Sequence, residues 1–322
     1  MQSKELVYSA IEFRNPPKVP IYYFNRDFAR SDVVATCYST AVDFSPDMLG
    51  QTEWGYIWQT LDGTMGQPQG VPLAEPADFK SYVAPDPWAL GRLDHVDAFI
   101  AENKEQFLVF TLGITGFNSA TFLRGFENLL TDLYTDRALA AKALDFVFNF
   151  ENGLVEQVVK HEVDAVKFSD DWGTQQGLMI SPELWRDEFK PRYAEQFEMA
   201  RKSGKKTWFH SCGNVHEIIP DMIDIGLDVI ELLQPDIFGV EQLAKEFGGD
   251  ICFCCSIDHQ RKAISGTRQE IRDYAKLLVE KLGAFKGGFI AYIENYPSLG
   301  MSEQTYQWIC EAFRDASEGR IG

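Results

Sequence analysis

A distorted (β/α)8 barrel of the TIM type is the fold this 322-residue sequence predicts, and three observations lead to it. Short apolar runs alternate with longer segments of helical period, about seven times along the chain, as in an α/β protein. The runs are nearly continuous instead of alternating, which suits parallel strands covered on both faces. No G-x-G-x-x-G follows the first run, which weakens the alternative of an open dinucleotide-binding sheet. Hydrophobic residues make up 45% of the chain and charged ones 24%. That is core enough for one large domain, and it excludes a disordered chain or a coiled coil.

The strands are read in order at 19–23, 107–112, 163–168, 206–210, 229–233, 251–255 and 288–293. The first follows the Pro16-Pro17 break, and the second ends at Gly113. Between them, Leu139, Ala143, Phe146, Phe150, Leu154 and Val158 recur at three and four residues and predict a helix over 137–160. Ser181-Pro182-Glu183 is a helix start, Pro191 must kink or split that helix, and Gly204 ends it. A further helix runs from Thr267 to Leu282 and closes at Gly283. The stretch 31–88, rich in turns, reads as an insertion or cap on a single domain spanning 1–322.

Lysine and arginine number 30 against 48 aspartate and glutamate, a net charge of −18. Such a surface repels phosphate backbones and anionic lipid, so nucleic acid and membranes are not expected as partners. No apolar run is long enough to span a bilayer, and the first residues lack a signal core, so the expected location is the cytoplasm. Six cysteines in a reducing compartment read mostly as small buried hydrophobes. Cys252 and Cys254 lie in an apolar run and are assigned to the core, while Cys255 is left open. A homodimer is the default for a soluble enzyme.

In a barrel, residues just past the strand C-termini line the site. His210 and Cys212 form an H-x-C pair there, and alternate residues of an extended chain point the same way. Imidazole and thiolate together suit zinc, which needs a further ligand from another strand end. Glu294, Cys255, Asp258 and Asp171 are the candidates. Asp170 and Asp171 follow a strand; one of them could serve as a general acid or base or orient a ligand, against the plainer role of capping. The aromatic residues Tyr22, Tyr23, Phe24, Trp54, Trp58 and Trp172 cluster in strand-end and cap segments, where they could wall a flat organic substrate or simply pack. Asn214 and Asp258, also at strand ends, complete the expected substrate contacts.

With DDWGTQQGLMISPELW at 170–185, KPRY at 190–193 and the segment from His210 to Pro235, the sequence resembles the uroporphyrinogen decarboxylase superfamily, and within it the corrinoid-linked methyltransferase branch. CFCCSIDHQ at 252–260, GGFIAYIENYP at 287–297, EWGYIWQ at 53–59 and FLRGFENLL at 122–130 extend the resemblance over nearly the whole chain. The resemblance implies a distorted barrel with its pocket at the strand C-terminal ends. It also implies a zinc held by the H-x-C pair, here His210 and Cys212, and by a later cysteine. The later position falls near Glu294-Asn295, where this chain has no cysteine, and Glu294 is taken as the substitute ligand. The implied activity moves a methyl group between a small methylated substrate, such as a methyl ether or a methylated thiol, and cobalamin carried on a corrinoid partner protein. Asp170 or Asp171 would protonate the leaving group, with Tyr22, Trp54 and Trp172 as walls. Decarboxylases of the superfamily carry an arginine-rich segment where this chain has Tyr22-Tyr23-Phe24-Asn25-Arg26-Asp27. A metal-free decarboxylase is therefore the second reading, and a non-catalytic barrel that binds a tetrapyrrole or corrinoid is the third.

Overall fold

The computed structural model describes residues 1–60 and 66–320. Its strands are β1 (Ile21–Tyr23), β2 (Val33–Cys37), β3 (Ile57–Gln59), β4 (Gln67–Gln69), β5 (Phe107–Ile114), β6 (Ala165–Ser169), β7 (Lys206–His210), β8 (Val229–Leu232), β9 (Cys252–Cys255) and β10 (Phe289–Ile293). The helices are α1 (Ser3–Ile11), α2 (Val96–Glu102), α3 (Gly116–Arg124), α4 (Phe126–Thr135), α5 (Arg137–Val158), α6 (Pro182–Glu188) and α7 (Lys190–Lys202). They continue with α8 (Ile219–Asp224), α9 (Val240–Phe247), α10 (Lys262–Ser265), α11 (Arg268–Leu282) and α12 (Glu303–Ser317).

Eight strands form one parallel sheet in the order β1-β10-β9-β8-β7-β6-β5-β2. Its two ends, β1 and β2, meet and nearly close a barrel. Asp32 N donates to Ile21 O at 2.9 Å, and the side chains of Asp32 and Ser31 accept from Ile21 N and Tyr23 N. Side-chain acceptors thus replace missing ladder partners at the seam, so no sheet edge is left open there.

Alternation along each strand sends one set of residues inward and the other outward, and both sets are mainly apolar. Tyr22, Val33, Phe107, Trp208, Val229, Cys252 and Cys254 fill the barrel, and Val7, Ala10 and Ile11 of α1 close its floor. Phe110, Val166, Phe209, Ile230, Phe253 and Ile293 face outward, into a second core shared with the surrounding helices. Burial on both faces is why the runs read as continuous in the sequence.

Two elements differ from the sequence reading. Val33–Cys37, inside the 31–88 stretch, is a barrel strand. It is followed by the cap instead of by a helix, so the strand–helix alternation that reveals the other strands is absent there. Cys37, expected with the other cysteines to be buried, is exposed at the end of that strand, where it leaves the barrel wall. Further into the cap, β3 and β4 form an antiparallel hairpin. The cap is tied down by Arg92, almost wholly buried, whose guanidinium grips both oxygens of Glu53 at 2.9 Å.

The helix ends follow their local chemistry. Ser181 caps α6, and Pro191 in the first turn of α7 separates it from α6 at Phe189. Thr267 and Glu270 form a capping box at the start of α11. Among the described residues no helix is long and apolar enough to cross a membrane.

Candidate functional site

His210 ends β7 and lies in register with Ser169 of β6 and Glu231 of β8. Its Nε2 is 3.5 Å from Cys212 Sγ and 3.6 Å from Asp171 Oδ1. One donor atom from each of these three residues lies within 4.8 Å of the others. Zinc bonds of about 2.1 Å to nitrogen or oxygen and about 2.3 Å to sulfur, in a tetrahedron, hold such donors roughly 3.3–3.6 Å apart. The two separations from His210 Nε2 match this spacing, so the three side chains could hold a zinc ion through one nitrogen, one sulfur and one oxygen, with the fourth position left for water or substrate.

Two loops hold this set by binding each other. Gly173 N donates to Cys212 O at 3.1 Å, Asn214 N to Thr174 O at 2.7 Å, and Trp172 N to Ser211 Oγ at 3.0 Å. Cys212 N donates to Asp171 Oδ1 at 2.7 Å, which aims that carboxylate at the sulfur's own residue. Gly213 is what allows the approach. Its φ is +74°, and a Cβ there would lie 1.9 Å from the carbonyl oxygen of Gly173.

The two adjacent aspartates have separate roles, as their opposed directions suggest. Asp170 has no exposed surface and accepts from Phe117 N at 2.7 Å, Asn118 N at 2.8 Å and the Tyr193 hydroxyl. It ties the start of α3 to the barrel, and burial pushes its carboxyl well above the ordinary range. Asp171 is partly exposed and belongs to the donor set.

Glu294, the expected third ligand, is not among the described groups that cluster with His210. It lies buried at the end of β10, accepting from Tyr292 Oη at 3.1 Å, and burial pushes it up to about 7. Asp171 stands in the cluster instead, because the β6 loop lies directly beside the β7 loop, whereas β10 is separated from β7 by β8 and β9.

Of the expected walls, Trp172 is completely buried, stacked 4.6 Å from Phe117, with Nε1 donating to Tyr193 Oη at 3.1 Å. Its ring supports the site from behind. Tyr22 is buried in the barrel among Phe24, Trp208 and Tyr292. Trp54 packs edge-on against Phe150 in the cap. Asn214 lines a groove with Gln176, His216, Phe238 and Gln242, which none of the three donor residues lines. Asp258 is buried, accepting from Gln260 N and Arg261 N in its own turn. Cys252, Cys254 and the undecided Cys255 are all buried thiols, the first two inside the barrel and the third outside it.

Two charged residues escaped the sequence reading. Lys167 of β6 and Glu231 of β8 point into the barrel beneath His210, and Lys167 Nζ lies 2.7 Å from both Glu231 oxygens. The signal was present, since each is a lone charge inside an apolar strand run. Burial would raise the Glu231 carboxyl, but the Lys167 ammonium and His210 outweigh it and lower it to about 2. Burial likewise disfavours a charged His210, but Cys212 and Glu231 overcome it and push the imidazole well above its ordinary range.

Residues 64–314 match the profile of a protein family described as Uroporphyrinogen decarboxylase (URO-D). A search of curated proteins by sequence returned no match. A methyltransferase from Methanosarcina mazei superposes with a TM-score of 0.73 over 98% of this chain and 99% of its own, at 15% identity. A GH26 β-mannanase from Bacteroides ovatus covers 98% of this chain and 94% of its own at 9% identity, with a TM-score of 0.47. At 15% identity the likeness to the methyltransferase concerns the barrel fold.

Proposed function

The chain belongs to the uroporphyrinogen decarboxylase family, and from that premise we propose that it is a zinc-dependent methyltransferase acting between a small methylated substrate and a corrinoid carried by a partner protein. The observation that carries this reading is the spacing of the His210, Cys212 and Asp171 donor atoms. The overall likeness to a methyltransferase of the same size supports it.

His210, Cys212 and Asp171 would hold the zinc, which when bound supplies Lewis-acid polarisation of the substrate's leaving oxygen or sulfur. With one thiolate in place of two, this donor set leaves the metal more electrophilic, which suits a methyl ether. A reduced corrinoid on the partner would supply the nucleophile that takes the methyl group from that oxygen or sulfur. The leaving atom keeps the bonding pair and takes up a proton. Asp170 is committed to α3 and Asp171 to the donor set, so the proton falls to Glu294, whose carboxyl, pushed up to about 7, holds one near neutrality.

The family match itself favours a second reading, decarboxylation of a tetrapyrrole. The cations suit it poorly, because Lys167 inside the barrel is paired with Glu231 and Arg26 after β1 with Glu303.

Elemental analysis of the purified protein tests the first reading. About one zinc per chain is expected, lost in Cys212→Ala together with methyl transfer from methyl ethers or thioethers to reduced cobalamin. Methyl transfer retained by a metal-free Cys212→Ala protein would overturn it, and carbon dioxide release from uroporphyrinogen would put the decarboxylase first.

A further inference from the structure

The Lys167–Glu231 pair is a costly thing to place inside a barrel. Both side chains are buried, and a buried ion pair is often no more stabilising than apolar residues of equal volume. Glu231 is nonetheless enclosed by donors. Its Oε1 accepts from Lys167 Nζ at 2.7 Å, and its Oε2 accepts from Lys167 Nζ at 2.7 Å and from Trp208 Nε1 at 2.8 Å. The remaining neighbour is His210, whose Nδ1 lies 3.1 Å from Glu231 Oε1.

That nitrogen is the second observation. His210 Nδ1 is buried without an aligned hydrogen bond, although a carboxylate oxygen stands within reach. An imidazole that binds a metal through Nε2 carries its proton on Nδ1, and that proton needs an acceptor in fixed position. A modest rotation of the ring would align the Nδ1–H with Glu231 Oε1 while leaving Nε2 toward Cys212 and Asp171.

We propose that Glu231, held in place by Lys167 and Trp208, is the positioning residue that accepts the Nδ1 proton of His210 and so aims Nε2 at the metal. Lys167 serves as the counter-charge that lets a carboxylate occupy the barrel interior. The proposal rests on the zinc reading above, and its test separates the two.

Two double variants of the full-length protein make the comparison. Lys167→Met with Glu231→Gln removes the charges but keeps an oxygen acceptor below His210. Lys167→Met with Glu231→Met removes charges and acceptor at nearly the same volume. Thermal unfolding establishes that each is folded, and Glu231→Leu replaces Glu231→Met if the latter does not fold. Zinc affinity is then measured by competition with a chromophoric chelator, with no substrate or corrinoid present. The glutamine variant is expected to bind zinc within a few-fold of the unmodified protein, and the methionine variant about 10–100-fold more weakly. Equal affinities in the two variants would overturn the positioning role while leaving the zinc reading intact. Failure of the unmodified protein to bind zinc would overturn both.

Discussion

Glu151 of α5 and Asp170 of the β6 loop are both buried beside the start of α3, and neither side chain belongs to the donor set. Glu151 accepts from Gly116 N at 2.7 Å and Gln196 Nε2 at 2.8 Å, yet burial outweighs these bonds and pushes it up to about 7. An acid raised in the folded state binds more protons there than in the unfolded chain, so stability falls as pH rises from about 4.5 to about 7. Above that window the penalty is fully present, on the order of 3 kcal/mol. Glu151→Gln should therefore raise the unfolding temperature at pH 8 more than at pH 5, as calorimetry at the two pH values would show. Gln196 Oε1, buried without a hydrogen bond, can turn to accept from the new amide. The paired aspartates should separate in the same direct way. Asp170→Asn leaves one of three donors poorly served and should cost about 1–3 kcal/mol of stability while metal content holds. Asp171→Asn should weaken metal binding with little change in the unfolding temperature. Loss of metal from the first variant alone would reverse these roles. The sequence showed two carboxylates at a strand end; only the positions of α3 and the β7 loop distinguish them.

At the scale of elements, the site is a pair of loops joined backbone to backbone, and that joint is its most exacting feature. Gly213→Ala would place a Cβ against the Gly173 carbonyl in a left-handed backbone conformation. Strain of this kind costs about 1–3 kcal/mol, and here it also separates Cys212 from Asp171. The variant should lose metal and unfold at lower temperature, measured on one sample by elemental analysis and a thermal melt; full metal content would show that the loops tolerate separation. Helix boundaries needed less context. The serine cap, the proline in the first turn of α7 and the capping box of α11 act within a few residues, so they were readable directly. The strand Val33–Cys37 was not, because a five-residue apolar run becomes a barrel strand only through its pairing with β5.

For the whole molecule, an inner core and an outer core are separated by the barrel wall, and α1 seals the inner one from below. Val7 has no exposed surface and packs within the inner core. Val7→Asp would bury an unpaired charge on the barrel floor, a loss of about 4–5 kcal/mol. In a chain of 322 residues that corresponds to roughly 6–7 °C in unfolding temperature. A smaller shift would mean that α1 is a detachable lid and not part of the core. The exposed ion pairs, such as Arg137–Asp187 and Lys202–Glu198, contribute little each by contrast.

The amino-acid sequence by itself determined the barrel class, seven of its eight strands, the helix starts and the His210–Cys212 pair, because each rests on periodicity, capping or spacing within a short stretch of chain. The tertiary structure decided which carboxylate joins that pair. Asp171 lies beside His210 because β6 and β7 are neighbours in the sheet. It also decided that Trp172 backs the site from within the core, and that Lys167 and Glu231 meet beneath His210. These depend on strand order and on the inward or outward sense of each residue, and distance along the chain does not encode either.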